Sequence, residues 1–65
     1  SNCNEKTAAC DYLNAISYAR SANDSMLLKS LKNAINKNIS YKSEAKKDLE
    51  FINYKDNEEF KSLVN

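Results

Sequence analysis

The sequence contains no glycine, proline, histidine or tryptophan. Tight two-residue β-hairpins normally use glycine, and phosphate-binding loops and dinucleotide fingerprints require it. The lack of glycine therefore argues against all three. The lack of proline removes the residue that breaks helices. Lysine, glutamate, alanine, leucine and asparagine are abundant, which is typical of helices joined by Asn, Asp and Ser turns. The sequence therefore predicts an all-α fold.

The absence of histidine also excludes a Cys/His zinc site and a Cys-His nucleophile pair. On one continuous helix, the Cα atoms of Cys3 and Cys10 would lie about 10 Å apart, beyond the ~7 Å that a disulfide spans. We therefore predict two unpaired thiols. The adjacent carboxylates Glu58 and Glu59 diverge around a helix and form no acid–base pair. We expect no catalytic residue, no metal and no cofactor, and interpret the chain as not an enzyme.

Charge is nearly balanced, with 10 basic and 9 acidic residues and a net charge of +1. Lys46 and Lys47 lie between Glu44 and Asp48, so their positive potential is cancelled locally. This pattern lacks the basic excess of a nucleic-acid-binding protein and predicts a mixed-charge surface in water.

The sequence has neither an apolar stretch of the ~18 residues that a membrane-spanning helix needs nor a recognisable signal peptide. Unpaired thiols and no export signal favour the cytoplasm. The alternative starts from Ser1-Asn2, which could be a remnant of tag removal. Cys3 would then lie near a natural processing point, and the protein would be an exported lipoprotein.

Apolar spacing predicts two antiparallel helices. The first should run from Glu5 to Arg20, and the second from Ser25 to Asn38, after a turn in which Asn23 or Asp24 caps the second helix. The second helix has the clearest apolar stripe at a 3.6-residue period. The members of that stripe are Leu27, Leu28, Leu31, Ala34 and Ile35.

A third helix is predicted from Ser40 or Ser43 to Phe51, with Tyr41, Ala45, Leu49 and Ile52 on one side. The tail also contains a nine-residue echo, in which residues 48–54 match residues 57–63. Each copy has an Asx residue suited to cap a helix, an acidic residue in the first turn, and a phenylalanine three residues after the cap. The apolar residues of the tail should anchor it to the first two helices; they are Phe51, Tyr54, Phe60, Leu63 and Val64.

Residues 8–64 resemble the last repeat of a tetratricopeptide repeat (TPR) protein followed by its terminal capping segment. Residues 12–19 are similar to the first-helix pattern of the family, with a small residue at Ala15 and an aromatic residue at Tyr18. Residues 45–63 are similar to the tail that closes many bacterial TPR proteins. Leu49 and Glu58 replace two prolines of that tail, and Ala22 stands at the turn glycine.

The resemblance implies one helical domain over residues 1–65, with a TPR-like hairpin at 5–38 and capping helices at 39–65. It implies a protein–protein interaction scaffold, the terminal unit of a longer repeat protein, which binds a peptide or a partner helix without catalysis. By position, Tyr12, Ile16 and Arg20 would contact the partner, and Arg20 could clamp a carboxylate. The alternative is a small stand-alone regulatory protein of the phage or toxin–antitoxin type that acts by protein binding.

A single helical hairpin cannot bury its apolar faces alone. We therefore expect upstream repeats or a second copy to cover the first helix, with Ala8, Tyr12, Ala15 and Ala19 as the contact surface. This predicts self-association through the first helix.

Overall fold

The computed structural model describes residues 7–65, and these form helices and turns with no strand. Four α-helices and one 3-10 helix follow one another along the chain. They are α1 (Ala8–Arg20), α2 (Asp24–Lys37), α3 (Ser40–Lys47), the 3-10 helix (Leu49–Tyr54) and α4 (Glu58–Val64). The predicted all-α fold with an antiparallel hairpin is confirmed.

Helix α1 begins three residues later than the sequence predicted. The Thr7 side chain accepts a hydrogen bond from the Cys10 backbone N–H at 3.1 Å and caps the helix, with extended backbone at Thr7. Glu5 lies outside the described residues.

The antiparallel arrangement of α1 and α2 follows from contacts at both ends of the pair. At one end, the Lys37 ammonium group lies 2.7 Å from the Asp11 carboxylate, so the end of α2 meets the beginning of α1. At the other end, the turn bonds the Asn23 N–H to the Tyr18 carbonyl at 2.9 Å. Asn23 also caps α2, as the sequence predicted.

The turn between α1 and α2 closes as a Schellman motif. The Asn23 N–H reaches the Tyr18 carbonyl and the Ala22 N–H reaches the Ala19 carbonyl. Ala22 occupies the left-handed position of this motif with φ of 57°, a conformation that glycine adopts without steric cost.

The third helix is shorter than predicted, because Asp48 interrupts it. Asp48 has extended backbone, and its side chain accepts from the Glu50 N–H at 2.9 Å, which starts the 3-10 helix. The new helix axis turns Phe51 inward and leaves Leu49 77% and Ile52 46% exposed. The expectation that Leu49 and Ile52 lie on one side of a continuous helix with Tyr41 and Ala45 was wrong for this reason.

The predicted echo in the tail is confirmed at its caps and anchors. Asn57 Oδ1 accepts from the Phe60 N–H at 3.0 Å and caps α4, as Asp48 caps the 3-10 helix. Phe51 and Phe60 are buried and their ring centroids lie 5.7 Å apart. One hydrophobic core joins the hairpin to the tail; its buried members are Tyr12, Ala15, Leu27, Leu31, Ala34, Ile35, Ala45, Phe51, Tyr54, Phe60 and Val64.

Cys10 is disulfide-bonded, so the interpretation of unpaired thiols was wrong. That interpretation assumed a continuous helix through both cysteines, whereas α1 begins after the Thr7 cap. The disulfide also removes the premise for a cytoplasmic location, because disulfides persist mainly in oxidising compartments. Cys3 and the Ser1-Asn2 pair, on which the lipoprotein alternative depends, lie outside the described residues.

Candidate protein-interaction surface

Tyr12, the first of the three predicted partner-binding residues, is buried inside the chain. Its ring stacks on Tyr41 with centroids 4.7 Å apart and meets Phe51 edge-on at 5.7 Å. Its hydroxyl donates a hydrogen bond to Asp48 Oδ2 at 2.5 Å. Burial and this hydrogen bond raise the pKa of Tyr12 far above that of an ordinary tyrosine. Tyr12 therefore links α1 to the tail, and a role in binding a partner stays a prediction.

Arg20, the second predicted residue, already clamps a carboxylate of the same chain. Its Nε lies 3.1 Å from Glu50 Oε1 and its Nη2 lies 2.6 Å from Glu50 Oε2. This bidentate hydrogen bonding lowers the pKa of Glu50 and raises the pKa of Arg20. The Arg20 side chain is 69% exposed, so a carboxylate of a partner could replace Glu50 at this guanidinium.

Ile16, the third predicted residue, is half-buried and packs against the core. It belongs to an outer row of α1 that we call the α1 stripe, because a spacing of three or four residues places side chains on one helix face. The α1 stripe consists of Ala9, Leu13, Ile16 and Arg20.

Leu13 is the main apolar residue of the α1 stripe and was not among the predicted partner-binding residues. It is 51% exposed. Its spacing from Ala9 and Ile16 is the signal that could have identified it. What the sequence could not show is which side of α1 the tail covers.

The expected self-association surface of α1 is covered in part by the chain itself. Ala15 is fully buried and Tyr12 is 8% exposed, so neither is open to a second copy. Ala8 and Ala19 are half-buried. The assignment of Tyr12 and Ala15 to an exposed surface was wrong, because α2 and the tail together bury that side of α1, with Tyr12 in contact with Tyr41, Asp48 and Phe51 of the tail.

Residues 48–50 run beside α1 and contain one exposed apolar residue. Asp48 contacts Tyr12 and Glu50 contacts Arg20, so the segment is fixed to the helix at two points. Leu49 lies between these two contacts and is 77% exposed. The surface thus offers apolar side chains next to one exchangeable Arg-carboxylate pair, which suits contact with another polypeptide.

Two concavities lie elsewhere on the described part of the chain. The larger is an open groove of about 610 Å³ between α2 and α4, and the smaller is a pocket of about 220 Å³ between α3 and α4. The larger groove is lined by Ser25, Leu28, Lys29, Lys32, Glu59, Ser62 and Leu63. None of the three predicted partner-binding residues lines either concavity.

Within residues 7–65, no group of three Cys, Asp or Glu side chains is placed to hold a metal ion. The helices in this range are all too short or too polar to cross a lipid bilayer. Comparison of the chain with protein-family models, with curated proteins and with solved structures finds no match in any of the three.

Proposed function

We propose that this chain is a protein-interaction unit that binds a peptide or a partner helix through the α1 stripe, without catalysis. The observation that carries the proposal is the difference between the two faces of α1. One face is buried, mainly against α2 and at one side against the 3-10 helix, while the other exposes Leu13 and part of Ile16 on a regular helix. A rigid helix with an exposed apolar row is a common docking element for a second helix.

We further propose that the unit is the terminal, TPR-like element of a helical repeat array. The helical period supports this, since α3 begins 32 residues after α1, from Ala8 to Ser40, and TPR repeats have about 34 residues. The tail closes one side of the hairpin and the α1 stripe leaves the other side open. This asymmetry is what a terminal repeat needs, since only one of its sides meets a neighbour.

Two of the tyrosine hydroxyls hold the tail against the hairpin. Tyr12 and Tyr54 each donate their hydroxyl to a carboxylate, Asp48 and Asp24 respectively. Both tyrosines have a raised pKa, Tyr12 chiefly from burial and Tyr54 chiefly from its hydrogen bond. A nucleophile or general base needs the opposite shift, so these groups serve to hold the tail.

A stand-alone regulatory protein is the second candidate, and the closed core favours it. The hairpin and the tail together bury a continuous set of aliphatic and aromatic side chains without a neighbouring repeat. Such a unit could fold alone and still use the α1 stripe to bind a target. The two candidates share the binding surface and differ in what normally covers it.

Peptide selection with NMR mapping tests the proposed binding surface. Peptides of about 15 residues, long enough to form a helix when bound, are selected from a random display library on the full chain. Their binding should shift the amide signals of Leu13, Ile16 and Arg20. Leu13→Lys should weaken binding about tenfold, since a buried apolar anchor is commonly worth more than about 1 kcal/mol.

Ile39→Lys is the matched control, because Ile39 is also an exposed apolar residue, at 69%, but lies in the turn before α3. It should leave binding unchanged. Selected peptides that shift only the groove between α2 and α4 would refute the proposed surface.

Light scattering separates the two candidates. A terminal repeat without its neighbour should self-associate at micromolar concentration and bind an apolar dye, and Leu13→Lys should reduce both. A stable monomer that binds no dye would contradict the repeat proposal and favour the stand-alone protein.

A further inference from the structure

The pocket between α3 and α4 is distinct from the α1 stripe, and three of its lining residues are lysines. It has a volume of about 220 Å³, enough for one large apolar side chain. Its apolar floor and its rim come from the tail alone. The lining residues are Lys46, Lys55, Phe60, Lys61, Val64 and Asn65.

Three lysines from three successive elements converge on this pocket. Lys46 belongs to α3, Lys55 follows the 3-10 helix, and Lys61 belongs to α4. They are nine and six residues apart in the sequence and form no basic run. Only the folding of the tail places their positive charges around one cavity.

The positive charge of the pocket is not neutralised by direct pairing. No acidic side chain lines the pocket. The ion pairs of residues 7–65 join Arg20 to Glu50 and Lys37 to Asp11, and none involves a lysine of the pocket. Acidic residues lie near two of these lysines in the sequence, Glu44 and Asp48 beside Lys46 and Asp56 beside Lys55, but none of the three lines the pocket.

An apolar floor under three ammonium groups indicates a ligand that has both an apolar group and negative charges. The floor, formed by Phe60 and Val64, favours an apolar side chain, and the rim favours carboxylates on either side of it. A small compact anion would pair with the lysines but would leave the apolar floor of the pocket exposed to water. A short peptide segment satisfies both parts of the site.

We propose that this lysine-ringed pocket is a second docking site, which takes an acidic peptide segment with a bulky apolar residue between carboxylates. The apolar residue fills the pocket over Phe60, and the flanking carboxylates meet Lys46, Lys55 and Lys61. The site is independent of the α1 stripe, so it stands whether or not the proposed function is correct.

Titration of the full chain with a defined peptide tests this site by ¹⁵N NMR. The probe is a blocked hexapeptide with one phenylalanine among glutamates. Amide shifts are expected at Lys55, Lys61 and Val64. Raising the salt from about 0.1 M to about 1 M, which shortens the Debye length from about 10 Å to about 3 Å, should weaken binding.

Two kinds of control make the test specific. A peptide with glutamines in place of the glutamates should not bind, and one with alanine in place of phenylalanine should bind more weakly. The double variant Lys55→Gln/Lys61→Gln should lose about fivefold in affinity, as expected for two exposed charge contacts. Lys29→Gln, an exposed lysine of the other groove, should change nothing, and circular dichroism checks that each variant is folded.

Several results would overturn the proposal. Shifts confined to the α1 stripe or to the groove between α2 and α4 would place the peptide elsewhere. Equal binding of the glutamine peptide would remove the role of the lysines. Equal shifts with inorganic phosphate or with phosphatidylglycerol vesicles would show a general anion or membrane site instead of a peptide site.

Discussion

The hairpin and the tail of this protein are held in place by different means. In the hairpin, α2 repeats small and medium aliphatic residues at helical spacing, and Leu27, Leu31 and Ala34 are all fully buried. In the tail, each short element contributes one or two large aromatic anchors, such as Phe51 and Phe60. A long helix can define its buried face by repetition, whereas a short one needs a single large side chain and a cap.

The two regions are also joined by a reciprocal pair of polar contacts. Tyr12 of the hairpin donates to Asp48 of the tail at 2.5 Å, and Tyr54 of the tail donates to Asp24 of the hairpin at 2.8 Å. Apolar contact alone would permit the tail to slide over the hairpin. Directional hydrogen bonds to carboxylates fix its orientation.

The largest expected effect tests whether the two regions form one cooperative unit. Leu31→Ala in the hairpin should cost about 2–5 kcal/mol and Phe51→Ala in the tail about 3–5 kcal/mol, because both side chains are fully buried. A core of this size supplies only about 3–5 kcal/mol before any disulfide is counted, so either change should remove most of the stability of the whole chain. Helicity by circular dichroism and amide hydrogen exchange measure this. If α1 and α2 stay protected in Phe51→Ala, the hairpin folds without the tail.

A smaller effect distinguishes the two Asx caps of the tail. Asn57→Ala removes a local cap and should cost about 1 kcal/mol. Asp48→Ala removes a cap and also leaves the Tyr12 hydroxyl unpaired, which adds about 1–3 kcal/mol. Urea unfolding of the two variants gives the comparison. Equal losses would mean that the Tyr12–Asp48 contact contributes nothing to stability.

A stabilising change is expected in the turn of the hairpin. Ala22 is held at φ of 57°, which costs a non-glycine residue roughly 1–2 kcal/mol. Ala22→Gly removes this cost but adds freedom to the unfolded chain, so a net gain of about 0.5–1 kcal/mol is expected. The thermal midpoint should rise. Ser21→Gly is the control: Ser21 has φ of −95°, so that change should bring no gain.

The smallest effect concerns alkaline pH and the contact between the two regions. Burial and the bond to Asp48 raise the pKa of Tyr12, so the folded chain holds this proton more tightly than the unfolded chain does. Its contribution to stability is therefore complete below the ordinary tyrosine pKa of 10.0 and is lost as the pH rises above it. Denaturant midpoints of the native chain and Tyr12→Phe should converge above this pH. Parallel curves would mean that Tyr12 ionises as easily when folded as when unfolded.

Local signals in the sequence were sufficient for the helices and their caps. The 3.6-residue period identified α2 to within one residue at each end, and the echo in the tail identified Asp48 and Asn57 as caps. The helices and their caps depend on residues within one or two helical turns of each other, so local sequence is sufficient to determine them. Thr7 is also a local cap, but it was not predicted, because the apolar pattern that includes Ala8 and Ala9 does not mark where the helix begins.

The surfaces depended on contacts between distant residues. The sequence pointed to Arg20 as a carboxylate clamp, but only the fold showed that Glu50, 30 residues away, fills it. Whether Leu13 or Tyr12 faces outward depends on which sides of α1 are covered by α2 and by the tail, and the helical period of α1 is compatible with both. Lys46, Lys55 and Lys61 meet only because two turns bring three elements together. Periodicity and capping thus determined the elements of this protein, whereas the packing of the tail decided which residues remain available for binding.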